Sequence, residues 1–235
     1  MNDPGVTVVI TYHNEDHKIL DRAWRSVLNQ TVVPHETIIV DDGSDPPLQM
    51  FFHPLAKTKV VRVTNRGLPA ARNTGLMLCK TEAILFLDSD DWLDPTYIEK
   101  TLPLLENADV VLTGLQEHGP TRNGTYMPGY NKHWSLVTIE DLWRTNLFYY
   151  CSLMRTELLR EIGGYNTLMA GAWNQNGGLE DWDLTLDLMT RGARYAAVEE
   201  VLFHYDTSNP NSMIHRSQPN RDALHAEMRR HHGLT

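Results

Sequence analysis

The chain has 235 residues, of which 41% are apolar, and its formal net charge is −9. That is enough for one sizeable α/β domain with a buried core and slightly too little for two large domains. The negative charge argues against nucleic acid as a partner, because the phosphates would be repelled. The dense basic stretch from Arg229 to His232 is interpreted as a solvated helix end.

Cys79 and Cys151 lie beside apolar residues and have no nearby partner of the CxxC kind. They are expected to be buried thiols in a reducing compartment. No apolar run approaches the roughly 20 residues that span a bilayer, and the N-terminus lacks a signal-peptide pattern. We therefore expect a cytoplasmic protein without a membrane span, which is compatible with peripheral association.

Short β-branched runs alternate with helical patterns in the first half, which is typical of βαβ units and a mostly parallel sheet. Runs of nearly continuous apolar character predict strands that are covered on both faces. These are Val6–Thr11, Thr37–Val40, Val60–Val63 and Ala83–Leu87, with a further strand at Ala108–Thr113. Helical spacing predicts helices at Ile19–Leu28 and Leu68–Leu78, and a third that Asp94 caps and that runs from Pro95 to Leu105.

The second half begins with a segment rich in Gly, Pro, Asn and Thr, Glu117–His133, which is predicted to be a long surface loop. Gly163 and Gly192 are expected to end two of the helices that follow, because glycine accepts the left-handed conformation. The predicted helices are Ile139–Thr145, Thr156–Ile162, Trp182–Arg191 and Arg221–His231, and Tyr195–Tyr205 is predicted to be a pair of strands.

Two predicted strands end in aspartates. Asp88-Ser89-Asp90-Asp91 follows Ala83–Leu87 directly, and in open α/β sheets the ligand crevice lies at the carboxyl ends of the strands. Such carboxylates suit Mg²⁺ or Mn²⁺, which usually take one or two of them together with substrate phosphates. The alternative is an acidic turn that only caps the next helix.

The second acidic strand end is Asp41-Asp42-Gly43-Ser44. One of these carboxylates could accept the imide N3–H of uracil or thymine, whereas cytosine offers an acceptor at that position. Gly43 would let the backbone pass close to a nucleotide. A tight β-turn with Asp and Gly in their usual places is the alternative.

Polar and basic residues near these strand ends could complete a nucleotide site. Thr11 could hydrogen-bond a base and Tyr12 or His13 could stack on it, although an aromatic residue at a strand end often serves packing. Arg72, in the first turns of its helix, could pair with a phosphate or with an aspartate. An exposed salt bridge is the competing interpretation for Arg72.

Six motifs, in this order, resemble those of family 2 glycosyltransferases of the GT-A fold. They are VTVVITYHNE, SVLNQT, IIVDDGSD, GLPAARNTG, ILFLDSDDWLDP and GGLEDWDL, and the resemblance extends over residues 6 to 206. It implies a Rossmann-like, mostly parallel central sheet flanked by helices. It also implies a single domain over 1–235, with a nucleotide-sugar-binding half (1–115), an acceptor-binding and catalytic half (116–215) and a C-terminal helix (216–235).

The resemblance assigns roles to the nucleotide-side residues. It implies that Thr11, Tyr12 and Asp42 hold the base and that Arg72 lies near the nucleotide. The His of TYHNE departs from the commonest spelling, which leaves the choice among Tyr12, His13 and Asn14 open. The resemblance makes Asp88-Ser89-Asp90 the DxD motif: Asp88 would contact the ribose or a metal-bound water, and Asp90 would bind the Mn²⁺ or Mg²⁺ that bridges the two phosphates.

The resemblance also implies that the catalytic base is the Asp of the family's ED motif, which is Glu180-Asp181 here, and so falls on Asp181. An inverting transfer needs a base that takes the proton of the acceptor hydroxyl, and a helix N-terminus favours the ionised carboxylate. Ordinary N-capping by Asp181 is the alternative and is compatible with catalysis. Some relatives use a late histidine as a further metal ligand, which would fall on His204 or His215 here, and an ordinary structural histidine is the alternative for each.

The sequence thus predicts a metal-dependent, inverting glycosyltransferase that moves a sugar from a nucleoside diphosphate donor, with UDP-sugars favoured, to a hydroxyl of a glycan or other acceptor. Glycan or cell-surface polysaccharide synthesis is the expected setting. The alternatives are an inactive sugar-nucleotide or glycan binder and a nucleotidyltransferase. Loops around Glu117–His133 and Leu168–Gly178 are expected to select the sugar, with Trp134 and Trp173 as candidates for stacking on it.

Overall fold

A computed structural model describes residues 3–49, 57–130, 132–167, 179–208 and 221–233. The strands are β1 (Asp3–Tyr12), β2 (Glu36–Asp42), β3 (Thr58–Val63), β4 (Thr81–Asp88), β5 (Trp92–Leu93), β6 (Val110–His118), β7 (Thr125–Tyr126), β8 (Leu153–Arg155) and β9 (Tyr195–Asp206). The α-helices are α1 (His17–Leu28), α2 (Leu68–Leu78), α3 (Tyr97–Thr101), α4 (Ile139–Arg144), α5 (Thr156–Ile162), α6 (Glu180–Thr190) and α7 (Arg221–His231). Short 3₁₀ helices cover Leu102–Glu106 and Trp134–Leu136.

One sheet runs through both halves of the chain in the order β3-β2-β1-β4-β8-β6-β9-β5, with β7 paired to β6. Pairing is parallel from β3 through β4 and between β6 and β9, whereas β8 runs antiparallel to both of its neighbours. This confirms the predicted α/β fold with a central sheet flanked by helices. Parallel pairing dominates the first half, and the second half is mixed.

The apolar runs form strands because both faces of the sheet are covered. Along β1, Val9 belongs to one core cluster, and its neighbours Val8 and Ile10 belong to the cluster on the opposite face. Helix α2 lies very close to β1: a Cβ added at Gly75 would stand 2.3 Å from Cγ1 of Val9. This close approach packs α2 directly against β1.

Three predicted elements differ in the structure. Asp94 accepts hydrogen bonds from the backbone N–H and the hydroxyl of Thr96, so it caps a turn and α3 begins only at Tyr97. The predicted loop Glu117–His133 contains the end of β6 and the short strand β7, which pairs with it. Tyr195–Tyr205 is one strand with register shifts in its pairing, rather than two.

Other predictions are confirmed. Helices α2, α5 and α7 have the predicted bounds, and Gly163 ends α5 in the left-handed conformation with a φ of 88°. Cys79 and Cys151 are buried and free. None of the helices in the described ranges combines the length and the apolarity that crossing a bilayer requires.

Candidate active site

The two acidic strand ends lie at the same edge of the sheet, as predicted. In the parallel pairing of β1 with β2 and β4, Thr11 is opposite Asp88, and Tyr12 is opposite Asp41. The hydroxyl of Thr11 donates to Oδ1 of Asp88 at 3.0 Å. The carboxyl ends of β2, β1 and β4 therefore form one polar surface. Open α/β sheets usually bind their ligands at this end of the strands.

Arg72 connects the polar groups of this surface, although its side chain is only 1% exposed. Its Nη2 donates to both carboxylate oxygens of Asp88, at 2.9 and 3.1 Å, and its Nη1 donates to Oε1 of Glu180 at 3.1 Å. The guanidinium carbon lies 4.7 Å from the ring centre of Tyr150 and 5.1 Å from that of Tyr165. Burial opposes the charge, but the carboxylate of Asp88 raises the pKa of Arg72 well above its ordinary value. Arg72 is neither an exposed salt-bridge partner nor an open phosphate ligand.

Beyond Asp88, carboxylates crowd together with few cations between them. Burial, followed by repulsion from Asp90, raises the pKa of Glu15 to about 8. Burial, followed by repulsion from Asp88, raises the pKa of Asp90 to about 7. The buried Ser89 donates its hydroxyl to Oε2 of Glu15. Two carboxylates that resist ionisation in this way form an oxygen-rich pocket whose charge is incompletely balanced.

Arg22 and Asp91 hold the backbone of this acidic segment. Nη2 of Arg22 donates to the carbonyl of Asp90 at 2.5 Å and to Oδ2 of Asp206 at 2.6 Å, and its guanidinium lies 4.0 Å from the ring centre of Trp92. The buried Asp91 accepts from the hydroxyl of Tyr150 and from the backbone N–H of Asp206. Asp91 is therefore structural, while the side chain of Asp90 remains available to a ligand.

At the end of β2 the two aspartates differ in role. Asp41 is 1% exposed and accepts from the backbone N–H groups of Ser44 and Leu48 and from Arg62. Asp42 accepts from the backbone N–H groups of Arg66 and Gly67, at 3.0 and 2.9 Å. The structure thus places Asp42 beside the loop that leads into α2.

The first-strand candidates also separate. The ring of Tyr12 is 4% exposed and belongs to the core, and its hydroxyl donates to the carbonyl of Glu15 at 2.8 Å. His13 is exposed, and its Nδ1 lies 2.9 Å from the carbonyl oxygen of Asp42. Of the two rings, that of His13 is the one open to a stacking partner.

Asp181 is the second residue of α6, immediately after Glu180, and the helix is preceded by Leu179. It is therefore not the N-cap. Its Oδ2 accepts from Nδ2 of Asn146 at 3.0 Å, and it lines a small cavity with Tyr165. Burial, followed by repulsion from Glu180, raises the pKa of Asp181 to about 7. Since Arg72 binds Glu180, one ion network joins the DxD motif to the helix that carries Asp181.

The remaining candidates are His204 and His215 for the metal and Trp134 and Trp173 for stacking on the sugar. His204 stacks on Trp92 with ring centres 5.3 Å apart, and its Nδ1 lies 3.0 Å from Nε2 of His118. Its packing is that of a structural histidine. Trp134 packs against the core. The residues 168–178, with Trp173, and also His215 lie outside the described residues.

Several residues of the site were missed from the sequence. Glu15 is the last residue of the TYHNE motif, but its spacing from other residues gave no sign that it belongs to the site. Arg22 and Tyr150 reach the site from α1 and from the segment before β8, at separations of 68 and 62 residues from their partners in the acidic segment. Only the three-dimensional fold shows these contacts.

Residues 7–163 match the family model described as glycosyl transferase family 2. The chain is 37% identical to the putative glycosyltransferase EpsH of Bacillus subtilis over 106 residues, which are 43% of this chain and 30% of EpsH. It is 27% identical to the chondroitin synthase of Escherichia coli over 217 residues, which are 90% of this chain and 30% of that protein. The chain thus spans about a third of the length of these two relatives.

A similar fold occurs in the crystal structure of S. aureus TarS in complex with UDP-GlcNAc. The TM-score is 0.68 at 18% identity, and the match covers 89% of this chain and 60% of the TarS chain. At this identity the similarity shows a shared fold.

The Arg72 network yields a stability prediction. Replacing Arg72 with Met leaves Glu180 and Asp88 without their cation, and removing one partner of a buried ion pair typically costs about 3–5 kcal/mol. The free energy of unfolding from urea titration should fall by that amount. The matched control is Arg25→Met, which removes an exposed pair with Asp21 and should cost about 1 kcal/mol or less. Equal losses for the two variants would contradict the assignment.

Proposed function

The chain belongs to glycosyl transferase family 2, and on that premise we propose that it transfers a sugar from a UDP-sugar to an acceptor hydroxyl with inversion at the anomeric carbon. The observation that carries the proposal is the Arg72 network, which connects Asp88 of the DxD motif to the first turn of the helix that carries Asp181. The network would hold the donor near Asp88 and the base, Asp181, next to Glu180.

The nucleotide is proposed to lie along the ends of β1 and β2. Asp42 keeps lone pairs beyond the two that its backbone contacts use, and one of them would accept the N3–H of uracil. His13 offers an exposed ring on which the base could stack, and Thr11 extends the polar surface to Asp88 through its hydrogen bond. Arg72 acts as a positioning residue, because its donors are directed at carboxylates. The TarS complex supports a UDP-sugar, since that protein shares the fold and binds UDP-GlcNAc.

A divalent cation fits the acidic pocket. Its donor set is carboxylate oxygen, which suits Mn²⁺ or Mg²⁺. Burial and mutual repulsion disfavour the ionised forms of Asp90 and Glu15, which raises their pKa values, and a bound cation would favour those ionised forms. Asp90 would hold it directly, and Asp88 and Ser89 would border it. When bound, such an ion neutralises charge that develops on the diphosphate leaving group.

Asp181 is proposed as the general base. Its carboxylate takes the proton of the acceptor hydroxyl while that oxygen forms a bond to the anomeric carbon, and the bond from that carbon to the diphosphate oxygen breaks. The raised pKa of Asp181, about 7, makes the carboxylate a stronger proton acceptor than an ordinary aspartate. Asn146 orients it through a 3.0 Å hydrogen bond. A growing glycan is the favoured acceptor, since chondroitin synthase matches 90% of this chain.

The remaining alternatives receive less support. A nucleotidyltransferase normally carries a Gly-rich basic loop after its first strand, and here that segment contains His13, Asn14, Glu15 and Asp16. An inactive binder would not need Asp181, Asp90 and Arg72 together. We place the reaction in the cytoplasm, where buried free thiols such as Cys79 and Cys151 persist.

The proposed uracil contact predicts a preference for UDP over CDP. Cytosine has an acceptor where uracil has its N3–H, so CDP should bind more weakly to the unaltered protein in a calorimetric titration with Mn²⁺. Asp42→Asn supplies an amide donor and should reduce the UDP-to-CDP affinity ratio by about tenfold, since a mismatched polar contact costs about 1–3 kcal/mol. Asp45→Asn, an exposed position in the next turn, is the control. Equal affinities of the unaltered protein for UDP and CDP would refute the contact.

The cation site predicts that donor binding and turnover require Mn²⁺ or Mg²⁺. Excess EDTA should abolish both, and Asp90→Ala should remove the metal dependence together with activity, because the leaving group loses its countercharge. UDP affinity would be measured by calorimetry with metal and with EDTA. Asp21→Asn, which alters an exposed carboxylate of α1, should behave as the parent. Full turnover in EDTA would overturn this part of the proposal.

The base predicts a specific pH profile. Because only ionised Asp181 accepts a proton, kcat/KM should fall as the pH drops below about 7 and should reach a plateau above it. Asp181→Asn should lower turnover by about a hundred- to ten-thousand-fold while donor affinity is kept. Glu140→Gln, an exposed carboxylate in the first turn of α4, is the matched control. An Asn variant within a few-fold of the parent would show that Asp181 is not the base.

A further inference from the structure

The C-terminal helix α7 packs on α6 through a histidine that the sequence pattern placed in a solvated basic end. Arg229, Arg230 and His231 are exposed, as that interpretation expects, but the side chain of His232 is only 7% exposed. Met228, one turn earlier, is fully buried in the core. The end of α7 therefore presents an imidazole to the interior.

His232 faces two carboxylates of α6. Its Nε2 lies 3.0 Å from Oδ1 of Asp183, and its Nδ1 lies 3.6 Å from Oδ1 of Asp187. The His231 ring is 5.0 Å from that of His232, centre to centre. One ligand atom from each of Asp183, His231 and His232 falls within 4.8 Å of the others. This is close enough for one ion to contact all three.

A second observation also indicates a ligand. The Asp183 side chain is 1% exposed, and its Oδ2 is buried without a hydrogen-bond partner. A buried carboxylate oxygen that is left unpaired costs free energy. The same carboxylate contacts His232 through Oδ1 and groups with His231 and His232, so a cation bound there would offset the cost of burying it.

The chemistry of the three ligands selects the ion. Imidazole nitrogen together with carboxylate oxygen suits Zn²⁺, whereas Mg²⁺ and Mn²⁺ prefer oxygen. We propose that Asp183, His231 and His232 form a zinc site that fastens α7 to α6, separate from the acidic pocket at the strand ends. Asp187, whose Oδ1 lies 3.6 Å from Nδ1 of His232, would orient the ring, and Nε2, 3.0 Å from Oδ1 of Asp183, would bind the ion beside that carboxylate. The site does not depend on the proposed sugar transfer.

Zinc titration of the EDTA-stripped, dialysed protein tests the site directly. Calorimetry and metal analysis should show one tightly bound Zn²⁺ per chain, with thermal stabilisation by Zn²⁺ that Mg²⁺ does not reproduce. Asp183→Asn should weaken zinc affinity by about a hundredfold, and Asp187→Asn by about tenfold. His231→Ala is the decisive variant, because this exposed residue should leave the zinc-free fold unchanged yet weaken binding by at least about tenfold.

The control separates this site from adventitious binding. The chain has 11 histidines, and His133→Ala removes an exposed one that pairs with Glu199; the tight site should survive this change. Asp90→Ala should also leave zinc binding intact. The proposal is overturned if no zinc binds tightly, or if His231→Ala and His133→Ala weaken binding equally.

Discussion

The architecture of the site depends on one buried cation. Arg72 has almost no contact with solvent, yet it holds Asp88 at the end of β4 and Glu180 at the start of α6. A guanidinium can do this because its donors form a rigid planar fork, whereas a lysine offers a single point charge. The rings of Tyr150 and Tyr165 lie against it. A side chain near the start of α2 therefore positions groups that lie 16 and 108 residues away along the chain.

This arrangement leaves a gradient of charge across the site. Near Arg72 the carboxylates are matched by a cation. Farther out, burial and mutual repulsion raise the pKa values of Glu15 and Asp90, and Arg22 offsets this only in part at Asp90. Burying these carboxylates costs free energy in the protein alone. A cation bound together with a diphosphate would offset that cost. Helix α6 has a related feature in the unpaired Oδ2 of Asp183.

Much of the fold could be predicted because its signals are local. Continuous apolar runs identify β1, β2 and β4, and glycine and proline mark the start of α2 at Gly67 and Pro69. The hairpin of β6 and β7 escaped prediction because β7 is a two-residue strand whose pairing depends on the edge it meets. β9 is one strand because its pairing with β6 continues across register shifts, which depend on the partner strand and are not visible in the sequence.

The site residues also fall into two groups, those with a local sequence signal and those without one. Asp42, Asp88, Asp90 and Asp181 follow strands or open a helix, so the order of motifs along the chain locates them. The partners that set their properties are distant in sequence, and their side chains carry no pattern of their own. Asn146, which bonds Asp181, and Arg22, which bonds the Asp90 carbonyl, are of this kind. The burial of His232 likewise depends on the packing of α7 against α6 rather than on its basic neighbours.

The stereochemistry of transfer tests the central claim most directly. A base at Asp181 and a leaving diphosphate on the opposite side of the sugar require that the anomeric configuration change in a single displacement. Proton NMR of the first-formed product from an α-linked UDP-sugar and its acceptor would report the new linkage through its anomeric coupling. The proposed mechanism predicts a β-linked product, and an α-linked product would contradict it.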